Sequence, residues 1–554
     1  MCTAPYGFSD RWHAMKQPVL KPQVIAQMQS AQELYQRGQS AKALEIIQRV
    51  LARHPRAGAA HNIAVGVNLA LAQNDRALYH AQQSLQIEPN NASYHLAMGN
   101  VLTSRLEHAE SVSSYKRALE ISPGLIEAIN GLGIAYKETG RNAESASLFD
   151  QLIELEPENA SYIINRATLY IDMGQTHEAV VMLDSASKRF ETNPILHDML
   201  ALTSSYDSEI TPQQAFEFHR RYGSVLGGHI RARATHSNTP ERKRRIRIGY
   251  ISGNFHQHSN SSFLIPILEN HNHDQFEIFL YSTNGYTDQV TEHIKATADH
   301  WRPLRSSQLR ETVDTILRDK IDILIELSGH FAHNSLPIMA AKPAPVQVTY
   351  LGYANTTGLD AIDYRIIDGT TDPSPQADSL NTEKLIRLDG CFLTYQPHRD
   401  TPDLCEPATD RPFTFASFNS LKKLTEGTIR AWADILNGVD GSRLMLKNKP
   451  LSFGESREEV VQRFVDLGID RSRIVAIGTT DSIGEHLGLY NDVDLALDTF
   501  PYNGTTTTCE ALWMGVPVLT FAGNTHAHRV SASILKSIGR EDLCTNSTDE
   551  YVRR

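Results

Sequence analysis

Apolar and polar residues follow a helical spacing through the first third of the chain, and this pattern recurs every 34 residues. One column of the repeat is proline: Pro55, Pro89, Pro123 and Pro157. A second column, in phase with the first, holds only small residues: Ala43, Ala77, Ser111, Ser145 and Ala179. A 34-residue period with one helix-breaking proline per unit predicts tetratricopeptide repeats, which are antiparallel helix pairs stacked into a superhelix. We expect about five such units and a surface that recognises other molecules.

Two further columns predict details of each unit. An apolar residue stands four positions before each proline, and we expect this column to anchor the second helix of the unit: Leu51, Leu85, Leu119 and Ile153. Gly140 and Gly174, again 34 residues apart, are suited to the turn between the two helices of a pair.

After residue 240 the pattern changes to short β-branched runs that alternate with helix-length segments. The first series of runs covers residues 246–252, 276–282, 321–327, 345–351 and 364–368, and the second covers residues 413–418, 443–447, 473–477, 493–497 and 517–521. This alternation predicts two successive α/β domains, each with a parallel sheet. They meet near residue 400, and the Pro- and Asp-rich residues 398–411 are the expected hinge. Because ligands bind beyond the carboxyl ends of such strands, we expect a site in the cleft between the domains.

Composition narrows the class of protein. A net charge of −11 argues against a general nucleic-acid binder, since phosphate contacts need a basic surface. The basic run 242–245 is then best explained as a solvated linker. The five cysteines lack CxxC spacing, which favours neither a disulfide framework nor a zinc site. The first 25 residues contain no apolar core of a signal peptide, and no run approaches the roughly 18 apolar residues of a membrane span, so we expect a cytoplasmic protein.

The strongest chemical signal is the segment DTFPYNGTTTTCE at residues 498–510. A strand ends before it, Asn503 and Gly504 predict a turn, and four threonines precede a helix. Free N–H groups and the positive end of the helix dipole predict an anion site, and threonine hydroxyls add donors suited to a diphosphate. Glu510 would accept hydrogen bonds from ribose hydroxyls. The alternative is a helix capped by threonine without any ligand.

Two other clusters directly follow predicted strands. The segment FNSLKKL at residues 418–424 places lysines at the mouth of the cleft, where one would stabilise a diphosphate leaving group. The segment SGNFHQHSN at residues 252–260 directs His256 and His258 toward the same cleft. A histidine there would act as a general base or orient an acceptor hydroxyl, and a structural role fits its position equally well. The triplet at residues 492–494 imitates a DxD metal motif but is better explained as the start of a buried strand.

Four motifs carry a resemblance to a known family: KPAPVQVTYLGY at residues 342–353, NTTG at 355–358, DTFPY at 498–502 and TTTTCE at 505–510. Together with the repeats they resemble the O-linked N-acetylglucosamine transferase and SPINDLY family over nearly the whole chain. The resemblance implies a GT-B glycosyltransferase fold and an inverting transfer of one sugar from a nucleotide donor to Ser or Thr hydroxyls of proteins. It implies no metal and no resident cofactor. The repeats would recruit the protein acceptors, with no nucleic-acid or membrane partner.

The resemblance also implies roles for single residues. Lys423 would contact the donor diphosphate, and His258 takes the position of a histidine proposed as the base. Thr506 and Thr507 would cap the diphosphate, while Glu510 takes the ribose position. The implied nucleotide-sugar site comprises Asn419, Ser420, His486, Gly504, Thr505, Thr506, Thr507 and Glu510. The implied sugar and acceptor side comprises Tyr353, Asn355, Thr356 and Thr357.

Departures from the family pattern leave two questions open. Asn254 stands where the O-GlcNAc transferases carry an acidic residue, and Ser420 and Lys422 replace the Gln and Tyr of animal members. The TTTTCE segment matches SPINDLY, so the donor is either UDP-GlcNAc or GDP-fucose. A second hypothesis is a repeat-based scaffold that binds nucleotide and partner proteins with weak or no turnover.

The expected domain organisation follows from these patterns. It consists of an N-terminal segment (1–21), tetratricopeptide repeats (22–205), a helical linker (206–242), an acceptor-side α/β domain (243–400) and a nucleotide-sugar-side α/β domain (401–554). From the resemblance we further expect that the second domain, which ends here at Arg554, lacks the final helices that in this family complete it and cross back to the first.

Overall fold

The computed structural model describes residues 20–233, 235–241, 243–304, 308–405 and 410–554. The chain forms two compact units, one ending at Tyr162 and one from Ile163 to Arg554. The first unit holds α1 (Pro22–Gln36), α2 (Ser40–Arg53), α3 (Gly58–Ala70), α4 (Asn74–Ile87), α5 (Ala92–Ser104), α6 (His108–Ile121), α7 (Ile126–Glu138) and α8 (Asn142–Leu155). The helical series continues with α9 (Ala160–Asp172), α10 (Thr176–Arg189), α11 (Pro194–Ser204) and α12 (Pro212–His229).

The helix pairs confirm the predicted repeats. Each of the four periodic prolines lies in the connection between the second helix of one pair and the first helix of the next. The five residues of the small column are all 0% exposed, as close approach of two helices requires. The anchor column was placed one position too late, because the column at Leu51 is only half-buried and the preceding residues are the buried ones: Val50, Ser84, Ala118 and Leu152. One residue turns a helix by about 100°, which moves the predicted column to the flank of the contact.

The turns inside the helix pairs reveal one more periodic column. Gly140 and Gly174 have φ of 71° and 75°, as the sequence suggested. The same left-handed conformation occurs at the equivalent positions Gly38, Ala72 and Leu106. Glycine adopts it freely, whereas alanine and leucine pay a steric cost. The fold therefore imposes this conformation even where the sequence does not favour it.

The first α/β lobe contains a seven-stranded parallel sheet in the order β3-β2-β1-β4-β5-β6-β7. Its strands are β1 (Ile246–Ser252), β2 (Phe276–Ser282), β3 (His300–Pro303), β4 (Ile323–Glu326), β5 (Val346–Thr349), β6 (Tyr364–Asp368) and β7 (Lys384–Leu388). Its helices are α13 (Ser261–Glu269), α14 (Gln289–Ala296), α15 (Leu309–Asp319) and α16 (Leu336–Ala340).

The second lobe contains a six-stranded parallel sheet in the order β10-β9-β8-β11-β12-β13. Its strands are β8 (Thr414–Ser417), β9 (Arg443–Lys447), β10 (Ile474–Ile477), β11 (Leu495–Leu497), β12 (Val518–Phe521) and β13 (Cys544–Thr545). Its helices are α17 (Glu426–Gly438), α18 (Gly454–Val465), α19 (Ile483–Gly488), α20 (Thr506–Trp513), α21 (Val530–Ser537) and α22 (Thr548–Arg553). The predicted class, helical repeats followed by two Rossmann-like lobes, is confirmed.

All ten predicted strands are present, several of them shorter by one or two residues at an end. Three short strands were not predicted: β3, β7 and β13. Each lies at an outer edge of its sheet and, among the described residues, pairs with one strand only. None is as fully buried as the central strands, so none carries the continuous apolar run by which the others were identified.

The segment expected to be a linker is part of the first lobe. Helix α12 buries Tyr222 and Leu226 in the same apolar cluster as Phe279 of β2 and Leu336 of α16. Of the expected hinge, residues 406–409 lie outside the described residues, as do Arg242 of the basic run and the first 19 residues. Within the described ranges, no helix has the length and apolar character needed to cross a bilayer.

The two lobes contact each other through α21 and the loop that precedes it. Ser533 Oγ donates to Asp368 Oδ2 at 2.5 Å, and Arg529 Nε donates to the carbonyl of Thr370 at 2.6 Å. Val530 and Ile534 pack in one apolar cluster with side chains of the first lobe. These contacts hold the end of β6 against the second lobe and so fix one wall of the interlobe cleft.

Candidate active site

A cleft of about 660 Å³ opens at the carboxyl ends of the strands, between the two lobes. Its lining residues are far apart in the sequence, and many of them were assigned to one site from the sequence alone. Eight of those assigned residues line it: His258, Tyr353, Asn419, Ser420, Lys423, Thr505, Thr506 and Thr507. The predicted position of a ligand site between the lobes is therefore matched by a cavity of suitable size.

The N-terminus of α20 forms one wall of this cleft. Thr505 is the N-cap residue, yet its side chain makes no capping hydrogen bond. Thr505, Thr506 and Thr507 line the cleft, whereas Thr508 is buried and hydrogen-bonds Ser531 Oγ at 2.9 Å. This geometry therefore differs from that of a helix whose N-terminus is simply capped by a threonine hydroxyl. The arrangement instead leaves the positive end of the helix facing the cleft.

Asp498 fixes the turn that leads into α20. Its Oδ1 accepts hydrogen bonds from the backbone N–H groups of Gly504 at 2.6 Å and Thr499 at 2.9 Å. Its Oδ2 accepts one from Thr520 Oγ1 at 2.7 Å. Asp498 is buried, so each of these bonds compensates for its lost hydration. Gly504 thus serves the turn through its backbone and does not line the cleft.

Lys423 lies at the cleft, in a short 3₁₀ turn after β8. Its Nζ donates to the carbonyl of Asn503 at 2.7 Å and lies 4.6 Å from the centre of the Tyr502 ring. Burial lowers the pKa of Lys423 to about 7, with Asp498 opposing the shift and Lys422 adding to it. The amine is therefore only partly protonated near pH 7, and a negatively charged ligand beside it would favour the protonated form.

His258 faces the cleft in a defined tautomer. The backbone N–H of Asn260 donates to its Nδ1 at 3.1 Å, so the proton of the neutral ring is on Nε2. Burial, together with the charge of His256, lowers the pKa of His258 to about 4. In this state Nε2 donates a hydrogen bond and cannot accept a proton. This tautomer does not favour the role of base that the resemblance implied for His258.

A second cavity of about 500 Å³ adjoins the cleft and shares His258 and Thr506 with it. Glu510 lines this cavity. It lies about one helical turn after Thr506 on α20. His486 lies behind Glu510, with its Nε2 3.3 Å from Glu510 Oε2 and its ring against Phe418, and it lines neither cavity. The expected ribose position is thus accessible, while His486 contacts Glu510 rather than open space.

Three residues assigned to the acceptor side do not reach the cleft. Thr356 Oγ1 donates to Glu383 Oε2 at 2.6 Å, and the Thr357 backbone N–H donates to Glu383 Oε1 at 2.7 Å. Both threonines are 0% exposed. Asn355 donates to Ser205 Oγ at 3.2 Å and borders other cavities. The side chains of the NTTG motif thus form hydrogen bonds with other protein groups. The motif holds a loop of the first lobe in place and does not line this cleft.

Comparison with known proteins matches this architecture. The model of glycosyl transferase family 41 matches residues 228–406 and 399–554, and tetratricopeptide-repeat models match residues 28–92 and 126–159. The chain belongs to glycosyl transferase family 41.

Individual relatives agree with this assignment. The chain is 38% identical over 357 residues to the probable UDP-N-acetylglucosamine–peptide N-acetylglucosaminyltransferase SPINDLY of Solanum lycopersicum, covering 63% of this chain and 38% of that protein. The SPINDLY protein of Arabidopsis thaliana is likewise 38% identical, over 64% of this chain and 39% of the relative. The chain therefore spans well under half the length of these relatives. Among solved structures, a mutant O-GlcNAc transferase of Thermobaculum terrenum superposes with a TM-score of 0.76 at 31% identity, covering 83% of this chain and 88% of that one.

The structure adds cleft residues of this family 41 member that sequence reasoning missed. Tyr206, just after α11, stacks on Tyr502 with ring centres 4.6 Å apart. Lys422 Nζ lies 5.2 Å from the centre of the Tyr206 ring and 5.5 Å from that of Phe331. No local signal identifies Tyr206, because only the topology brings the end of the repeats to the cleft. His526 also lines the cleft, and its position after the predicted strand at residues 517–521 was a usable signal.

Proposed function

We propose that this protein is an inverting O-glycosyltransferase that transfers a single sugar from a nucleotide donor to Ser or Thr hydroxyls of proteins. The observation that carries the proposal is the placement of Lys423 in one cleft with the N-terminus of α20. A nucleoside diphosphate is the leaving group of such a transfer, and its negative charge grows as the glycosidic bond breaks. A cation and a helix N-terminus that line the same cleft supply the stabilisation that this step needs.

The hydroxyl groups beside Lys423 are arranged to support the same ligand. Thr507 Oγ1 donates to Asn419 Oδ1 at 3.0 Å, and Lys423 Nζ lies 3.4 Å from that same oxygen. Asn419 is thereby held in one orientation, with its amide nitrogen 3.4 Å from Ser417 Oγ. A pre-oriented set of donors costs little reorganisation when charge develops on the diphosphate. We assign Lys423 to the leaving group, and Thr505 and Thr506 to the phosphate oxygens.

His258 acts in this scheme as a hydrogen-bond donor. Because its Nδ1 accepts the Asn260 N–H, its Nε2–H is available to orient the acceptor hydroxyl or a donor oxygen. Glu510 accepts hydrogen bonds from the ribose of the nucleotide in the adjoining cavity. The tetratricopeptide repeats recruit the protein acceptors, since stacked helix pairs present an extended concave surface.

We propose that the reaction requires no metal ion, because Lys423 and the helix terminus together offer the charge that a metal would supply. Within the described ranges, no group of three or more His, Cys, Asp or Glu side chains is placed to hold a metal. Transfer measured with excess chelator should equal transfer with added Mg²⁺ or Mn²⁺. A loss of activity with chelator that Mn²⁺ restores would contradict this part of the proposal.

The donor is UDP-GlcNAc or GDP-fucose, and nucleotide binding distinguishes them. Calorimetric titration of the full chain with UDP and with GDP should show selective binding of one of the two, and turnover of the corresponding sugar nucleotide should follow. Lys423→Met, which keeps most of the length of the side chain and removes the charge, should abolish turnover. Selective binding without any turnover of either donor would favour the scaffold hypothesis instead.

A further inference from the structure

His526 lines the cleft and forms a buried hydrogen-bonded pair with Asp372 that joins the two lobes. It lies in the loop between β12 and α21 and is 6% exposed. Its Nδ1 is 2.5 Å from Oδ2 of Asp372, a residue of the first lobe 154 positions earlier in the chain. His526 lines the cleft that also holds Lys423, and it lines a smaller neighbouring cavity as well.

The surroundings of Asp372 determine which ring nitrogen carries the proton. Arg365 Nη1 lies 3.5 Å from Asp372 Oδ1 and also donates to Asn381 Oδ1 at 2.9 Å. Although burial opposes ionisation, His526 and Arg365 hold the pKa of Asp372 well below its usual range. Asp372 is therefore a carboxylate, and a carboxylate only accepts hydrogen bonds. His526 must donate from Nδ1, which leaves the lone pair on Nε2.

Nε2 of His526 is the nitrogen available to the cleft. Among the described residues it has no hydrogen-bond partner, whereas Nδ1 is bound by Asp372. Both residues border the small neighbouring cavity, and of the two only His526 also lines the cleft. The ring is held in place by Phe392, with centres 5.0 Å apart at an angle of 69°. Of the four histidines that line the cleft, His258 thus presents an N–H donor and His526 presents an acceptor.

We propose that His526 is the catalytic base of the transfer and that Asp372 is its positioning residue. This inference rests on the proposed glycosyltransferase function. The acceptor hydroxyl oxygen forms a bond to the anomeric carbon while the bond from that carbon to the diphosphate oxygen breaks, and the electron pair leaves with the nucleoside diphosphate. The hydroxyl proton passes to Nε2 of His526. The resulting imidazolium keeps its Nδ1–H on Asp372, which stabilises the positive charge, and it later releases the proton to solvent.

The rival explanation is that the pair only ties the lobes together. The two explanations differ in the effect of pH on kcat at saturating donor. The charged groups that face His526 are Asp372, Arg365 and Asp368. Burial, with Arg365 acting in the same direction, outweighs the two carboxylates and lowers the pKa of His526 from its ordinary value. A base must be unprotonated, so kcat of the wild type should fall as pH drops through this pKa. A purely structural pair predicts no such limb before the protein unfolds.

The test compares His526→Ala, His526→Asn and Asp372→Asn with the wild-type full chain. His273→Gln is the matched control, because His273 contacts Asp299 at 3.1 Å outside the cleft. Transfer to a protein acceptor, nucleotide affinity and melting temperature are measured for each. The His526 variants should lose about 100-fold or more in kcat, within the range for removal of a general base, while binding nucleotide like the wild type. Added imidazole should partly restore His526→Ala, and the acid limb should be absent from its pH profile.

Several results would overturn the inference. Retention of kcat within threefold in both His526 variants would do so, as would equal losses of kcat and nucleotide affinity, which indicate a structural role. If His526→Ala has a clearly lower melting temperature than the wild type, the His526→Asn variant decides the test, because it keeps a polar side chain at this buried position. A wild-type chain that binds nucleotide but transfers no sugar would refute the proposed function instead, and the two failures are therefore distinguishable.

Discussion

Proton uptake on nucleotide binding is a direct consequence of the burial of Lys423. With its pKa lowered to about 7, the amine of the free protein is roughly nine-tenths protonated at pH 6 and one-tenth protonated at pH 8. A diphosphate beside Nζ favours the charged form, so the complex holds this proton at both pH values. The pKa is thus higher in the complex than in the free protein, and binding is strongest at low pH and weakens as pH rises. We expect uptake of about 0.9 proton at pH 8 and a loss of affinity that approaches tenfold per pH unit above pH 7.

Calorimetry measures this uptake directly. Titrations with UDP or GDP at pH 8, in two buffers of different ionisation enthalpy, give the number of protons from the difference in apparent binding enthalpy. A terminal phosphate ionises near pH 6, so at pH 8 the nucleotide contributes little. Lys423→Met is the control and should bind more weakly with almost no uptake. Uptake below about 0.2 proton in the wild type, or the same uptake in the variant, would refute the assignment of Lys423 to the diphosphate.

Four other changes test three separate parts of the structure. Leu106→Gly should stabilise the repeats by about 0.5–1 kcal/mol in thermal melts, because Leu106 is 78% exposed with φ of 64°, while Gly140→Ala should destabilise them. Asp498→Asn should lower the free energy of unfolding by about 1–3 kcal/mol in denaturant titrations and weaken nucleotide binding, since it disrupts the turn before α20; unchanged binding would mean that this turn does not shape the site. Removal of residues 1–159 should reduce transfer to whole proteins more than hydrolysis of donor, and equal losses would show that these repeats do not select acceptors.

The deletion is placed at residue 159 because the last repeat helices belong to the catalytic unit. Asp198 of α11 lies 2.5 Å from Nδ1 of the buried His330, and it also accepts a hydrogen bond from Asn334. A cut at residue 205, the repeat boundary expected from the sequence, would remove both contacts. It would therefore confuse a loss of acceptor recognition with damage to the first lobe.

Features with a local signature could be predicted from the sequence. The small column at Ala43 follows from the spacing of close helix contacts, and the ten strands follow from apolar runs. The placement of Lys423 at a cleft follows from its position directly after a buried strand. The resemblance to a known family connected these local signals into one candidate site.

Features that depend on long-range packing could not be predicted. Thr356 and Thr357 were assigned to the site because they belong to the NTTG motif. In the structure both hydrogen-bond Glu383 in the interior, and no sequence pattern predicts that contact. The pairing of His526 with Asp372 joins two lobes across 154 positions, so it appears only once both sheets are assembled. The tautomer of His258 depends on a single backbone N–H of Asn260, which residue types alone do not reveal.

Sugar transfer to protein hydroxyls at the cleft that holds Lys423 can be tested by identifying the product. The full chain and its Lys423→Met variant are incubated with UDP-GlcNAc or GDP-fucose and a protein mixture, and the modified sites are located by fragmentation mass spectrometry. We predict the mass increment of one sugar on Ser or Thr with one of the two donors for the wild type, and none for the variant. Absence of any increment with both donors, or the same increment with the variant, would contradict the account.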